Sequence, residues 1–198
     1  MLQFKVFGIK VRLSFLFFAV TTIYLILDRT GYGYCGILAA VTHELGHVIA
    51  YFLVGERPKS VSLSIEGMRI TQSERYLTLG KDLFALSAGC MVNLGVFFLL
   101  YYGVGSDPTW TQIALVQLSI GLFNLIPVAA LDGGMILKRI FTAIFSLKAA
   151  TVICKTISWC VVLPMLAISL VFLFRSRNFT LLVTTGFLIL SLVQDNHI

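Results

Sequence analysis

The chain has 198 residues, of which 58% are hydrophobic and 12% charged, and its mean hydropathy is +0.94. Soluble domains carry about 45–50% apolar and about 25% charged residues, so a soluble fold and a disordered chain are both excluded, and four cysteines without paired spacing exclude a disulfide scaffold. The net charge of +6 would suit a nucleic-acid binder, but the Lys and Arg residues lie between apolar runs, as in the basic loops of membrane proteins. No nucleic-acid partner is expected. At about 20 residues per span, the length accommodates about six helices, giving an all-α polytopic membrane protein in contact with the lipid bilayer.

Along the chain, Phe4–Leu13 alternates apolar and polar residues on either side of Gly8, a strand-like pattern. Six apolar runs read as spans: about Leu13–Leu27, Tyr34–Val54, Leu83–Val104, Thr111–Leu131, Ala150–Phe174 and Phe179–Val193. The first follows Lys5, Lys10 and Arg12, as a signal peptide would. Asp28-Arg29-Thr30 offers no small-residue cleavage pattern, so an uncleaved span is expected. Between the second and third spans, Val61, Leu63 and Ile65 alternate with serines, and Glu66-Gly67 could turn the chain into Met68–Thr71. Short membrane-associated β-hairpins are expected in both places; a plain surface connector is the alternative. Pro164 is expected to kink the fifth span. The basic loops put twelve Lys and Arg on one side and only Arg29, Arg175 and Arg177 on the other. Both termini are therefore expected in the cytoplasm.

The second span contains His43-Glu44-Leu45-Gly46-His47. On a helix, positions i and i+4 share one face, so two imidazoles can grip Zn²⁺ while Glu44 is held near a metal-activated water as general base. A span sheds such groups unless they have partners, because one acid alone costs about 2.5–3.5 kcal/mol on insertion scales. A catalytic zinc site takes three protein ligands and one open position. The residue ten after His43 is Leu53, the third His is His197 at the C-terminus, and the last Glu is Glu74. Of the later acids, only Asp132 ends an apolar run inside a distinctive segment, Asn124-Leu-Ile-Pro127-Val-Ala-Ala-Leu131-Asp132-Gly133-Gly134. Asp132 is the third ligand by elimination. Pro127 should break the helix, and the glycine pair should let the chain bend. Read without the His motif, Asp132-Gly133 is an ordinary interfacial turn.

These two motifs, in this order, resemble those of the site-2 protease family of intramembrane zinc metalloproteases. Ala88-Gly89-Cys90-Met91-Val92-Asn93 adds a likeness to that family's A-G-P-x-x-N element. Cys90 and Ala130 stand where the family usually has Pro. The compact layout is most similar to the bacterial sporulation-type members. The resemblance implies a single protease domain over residues 1–198, without PDZ-like or nucleotide-sensing additions, in a bacterial cytoplasmic membrane. It implies a zinc endopeptidase that cuts a membrane-embedded or membrane-associated regulatory protein, with a regulatory membrane protein as a further possible partner. It also implies that Asn93 and Asn124 position substrate or stabilise the oxyanion; interhelical hydrogen bonding is an equal alternative for Asn93. Two other functions compete, a catalytically silent membrane scaffold and a metal transporter with an intramembrane transit site. The four cysteines are expected to serve as packing residues.

Overall fold

The computed structural model describes residues 2–6, 9–28, 30–56, 60–64, 67–71, 77–104, 107–177 and 179–194. The breaks expected at Gly8 and Glu66 lie outside these residues, as does His197. Two compact units, Met1–Leu122 and Phe123–Ile198, divide the chain.

The first unit opens with strands β1 (Leu2–Val6) and β2 (Ile9–Leu13), followed by helices α1 (Phe15–Leu27) and α2 (Tyr32–Leu53). Strands β3 (Ser60–Ser64) and β4 (Gly67–Thr71) precede α3 (Leu79–Gly103) and α4 (Pro108–Asn124). The strands form one sheet in the order β1-β2-β3-β4. Within it, β1–β2 and β3–β4 pair antiparallel, and β2–β3 pair parallel with Val11 opposite Val61. The two hairpin patterns thus join each other, and β3 is hydrogen-bonded on both sides.

Helices α2 and α3 run antiparallel. His47 meets Ala85, Gly46 meets Ala88 and Gly89, and Asn93 meets Ala39. Small residues make this possible: Ala50, Ala85 and Ala88 are buried with Tyr51. Lys81 donates to the Val54 carbonyl at 3.0 Å, satisfying an orphan acceptor at the end of α2.

The second unit contains α5 (Asp132–Ile144), α6 (Leu147–Ser176) and α7 (Thr180–Gln194). Its core packs Val128 and Leu131 with Val162, Leu188 and Leu192. The expected fourth span, Thr111–Leu131, stops as a helix at Asn124, because Pro127 has no amide hydrogen to continue the ladder. A separate helix begins at Asp132 where a basic loop was expected; Lys138 and Arg139 lie within it. Helix α6 continues through Pro164 without a break. Gly133 and Gly134 do not supply a bend. They are helical, and the described glycines with positive φ are Gly31 and Gly55.

Among the described residues, α2, α3 and α6 are long and apolar enough to cross a membrane, and α7 is a shorter apolar helix. The protein is an integral membrane protein. At 1.5 Å per residue, the 22 residues of α2 extend about 33 Å.

Asp28 fastens the start of α2. Its carboxylate accepts from the Thr30 amide at 2.9 Å, the Thr30 hydroxyl at 2.6 Å and the Gly33 amide at 2.7 Å. The Thr30 hydroxyl and the Thr30 and Gly33 amides hold the Asp28 carboxyl below the usual aspartate value. A lowered carboxyl pKa means that this cap is intact above the ordinary aspartate value and is lost as pH falls through the lowered one. Asp28→Ala should therefore speed hydrogen exchange at the Gly33 amide at neutral pH, and acidification should produce the same loss in the wild type. Exchange mass spectrometry of the loop peptide reads both.

Candidate metal centre

His43 and His47 lie one turn apart on α2, 5% and 7% exposed. Their Nε2 atoms are 3.2 Å apart, and the rings meet edge to face. Tetrahedral zinc with Zn–N bonds of about 2.0–2.1 Å separates two nitrogen ligands by about 3.3 Å. The spacing of the two imidazoles therefore fits a shared metal.

The other nitrogen of His47 decides how its ring is used. Nδ1 lies 2.8 Å from the carbonyl oxygen of Ala85 on α3. A carbonyl only accepts, so Nδ1 carries the hydrogen and Nε2 presents its lone pair toward His43. Ligating histidines are commonly fixed in this way by a partner on the far ring nitrogen.

Room for the two rings comes from Gly89. A Cβ at that position would lie 2.5 Å from His47 Nε2 and 2.8 Å from His43 Nε2. The bare Cα of α3 is what the imidazoles face. Glu44, between them in sequence, is half-buried. One turn beyond the pair, away from the Val54 end of α2, the Asn93 amide donates to the Ala39 carbonyl at 3.4 Å. The Gln117 amide of α4 donates to the Thr42 hydroxyl at 3.1 Å. Asn93 and Gln117 are fully buried, and their amide oxygens have no hydrogen-bond partner among the described residues.

Asn124 and Asp132 belong to the second unit. Asn124 is the last residue of α4 and Asp132 the first of α5, 9% exposed. The chain between them is tied down by Ile126 N–H to Phe123 O (3.1 Å), Leu131 N–H to Val128 O (2.8 Å) and Ala129 N–H to Ser158 Oγ (3.0 Å). Gly133 and Gly134 rest against the carbonyls of Leu125 and Val128, where any Cβ would overlap. They are needed for close approach.

Three contributors were not among the sequence candidates. The Ala85 carbonyl gives no sequence signal, since every residue has one. Gly89 stands in the sequence only within the A-G-P-x-x-N likeness, which says nothing of the imidazoles. Gln117 could have been found as an amide placed mid-span one turn before Gly121.

Comparison with known proteins places this geometry. The model of peptidase family M50 matches residues 101–168, which include Asn124 and Asp132 but not the histidine pair. A zinc metalloprotease of Methanocaldococcus jannaschii is 26% identical across 98% of this chain and 60% of its own length. A candidate zinc metalloprotease of Synechocystis sp. is 34% identical over 52% of this chain and 29% of its own. The chain therefore spans less than two-thirds of either relative. The solved structure of the site-2 protease from Methanocaldococcus jannaschii superposes with a TM-score of 0.70 and 24% identity, covering 98% of this chain and 94% of that one. The chain is similar to peptidase family M50 over residues 101–168 and shares the fold of the solved archaeal site-2 protease, and zinc is the metal named for both metalloprotease relatives.

The contact at Gly89 gives a direct test. Gly→Ala inside a helix normally stabilises by about 0.5–1 kcal/mol, so a loss can only come from the imidazoles being pushed aside. Gly89→Ala should purify as a folded protein with strongly reduced zinc. Gly95→Ala, where a Cβ would meet nothing within 4 Å, should keep full zinc. Metal analysis of both proteins in detergent is the measurement.

Proposed function

We propose that the protein is a zinc-dependent intramembrane endopeptidase acting on a membrane-spanning or membrane-associated protein. The observation that carries this reading is the buried imidazole pair, spaced for a shared metal and with the His47 tautomer fixed by Ala85. His43, His47 and Asp132 would hold the ion, leaving one position for chemistry. Bound zinc supplies a Lewis acid that acidifies water and polarises a carbonyl.

Glu44 is the proton carrier. It takes the proton of the attacking water as the water oxygen adds to the scissile carbonyl carbon. It returns that proton to the departing amine as the C–N bond breaks. Asn124 is proposed to position substrate. Asn93 uses one of its two amide hydrogens on Ala39, which leaves one N–H and the amide oxygen to position substrate or stabilise the oxyanion.

A helical substrate hides its peptide bonds and must unwind before attack. With β3 paired on both sides, the strand of the Val61–Thr71 segment that stands at a sheet edge and can receive an extended segment by main-chain hydrogen bonding is β4. The chain acts as one protease domain of six spans, with both termini in the cytoplasm. The twelve-to-three distribution of Lys and Arg supports that orientation.

Coexpression with a single-span reporter substrate tests the chemistry. Glu44→Gln should retain zinc and still engage the reporter, with cleavage reduced at least 10²–10⁴-fold, as for loss of a general acid–base group. His43→Ala and Asp132→Ala should lose both zinc and cleavage. Near wild-type cleavage by Glu44→Gln would remove Glu44 from the mechanism. Full zinc in Asp132→Ala would remove Asp132 from the ligand set.

A further inference from the structure

Cys90 follows Gly89 on α3 and is fully buried. Its Sγ lies within 4.8 Å of a ring nitrogen of His43, the imidazole whose Nε2 is 3.2 Å from that of His47. A soft sulfur donor therefore stands beside one of the two imidazoles already spaced for a metal. Zn–S bonds of about 2.3 Å and Zn–N bonds of about 2.0–2.1 Å put tetrahedral sulfur and nitrogen ligands about 3.5 Å apart. A movement of about an ångström by the thiol, within the reach of one rotatable bond, brings it into range. Apolar packing alone would explain a buried cysteine, but packing does not account for its place beside the His43 imidazole.

We propose that Cys90 is a displaceable fourth ligand to the metal held by His43 and His47. On metal binding, the thiol proton passes to water and a sulfur–metal bond forms. With two histidines, a carboxylate and a thiolate, the ion has four protein ligands, the closed arrangement of structural zinc sites. Hydrolysis needs one position open. The resting protein is therefore latched, and the latch opens when the thiolate gives up its place. The inference rests on the metal-centre reading above and adds a restraint to it.

The test uses the full chain in detergent with Cys35, Cys154 and Cys160 changed to Ala, so that Cys90 is the sole thiol, reconstituted with Co²⁺ alone. The expected result is the visible spectrum of four-coordinate cobalt together with a near-ultraviolet thiolate-to-cobalt charge-transfer band. Adding Cys90→Ala should abolish the band while cobalt stays bound. It should also speed release of zinc to a chelator several-fold and raise reporter cleavage several-fold. Should that variant not fold, cadmium NMR of the cadmium-loaded wild-type chain reads the sulfur donor directly, by a shift into the sulfur-ligated range. Cobalt bound through His43 with no charge-transfer band, or a cadmium shift typical of nitrogen and oxygen donors alone, would overturn the latch and leave the metal centre standing. No cobalt binding that depends on His43 would overturn both.

Discussion

The close approach of α2 to α3 is the constraint on which the first unit depends. Two imidazoles buried in an apolar bundle need both space and partners, and one helix face supplies both. Gly89 gives up its side chain so that His43 and His47 can turn toward each other, while Ala85, one turn away, offers the carbonyl that fixes His47. Gly46 answers from α2, where a Cβ would come within 2.9 Å of the Ala88 carbonyl. Larger residues at these positions would widen the gap and leave the His47 Nδ1 hydrogen without its acceptor, a cost of about 1–3 kcal/mol for a buried donor. Packing and ligand geometry are therefore a single requirement here.

The same face continues as a polar layer. Asn93 to Ala39, one turn beyond the histidines, and Gln117 to Thr42, next to His43, join three helices. Such bonds between spans add about 0.6 kcal/mol each on average, too little to explain placing two amides there. Each amide also leaves a buried oxygen unmatched among the described residues. A purely structural tie would be served more cheaply by one small hydroxyl bonding to its own helix, as Thr42 does to Leu38. The layer carries more polarity than holding the helices together requires.

What could be read from the sequence was the pairing of His43 with His47, because positions i and i+4 of H-E-L-G-H share one helix face. The strands of Phe4–Leu13 and Val61–Thr71 were legible for the same reason: a period of two is a local property. Their union into one sheet was not, since the β2–β3 pairing joins residues about fifty apart in the chain. Helix α5 was missed because Lys138 and Arg139 gave its sequence the look of a loop. A basic amphipathic helix and a basic connector have the same composition and differ in which face is apolar. The glycine pair at 133–134 was assigned the wrong property for a related reason: sequence shows that a side chain is missing but not whether torsion or contact requires it.

That distinction bears on Asp132. Flexible glycines beside a ligand would let it wander, and a ligand carboxylate has to stay within a few tenths of an ångström of its place. In the second unit the reverse holds. Pro127 ends one helix, Ser158 holds the Ala129 amide, Val128 and Leu131 anchor in the apolar core, and Gly133 and Gly134 press α5 onto the carbonyls of the preceding turn. Asp132 is then the first helical residue, where the backbone dipoles favour a negative charge. Every device in the segment works to make the carboxylate's position definite. An ordinary interfacial turn has no need of a hydroxyl tether on one side and a glycine-tight contact on the other, so the stiffness of this connection supports the proposed ligand at its end.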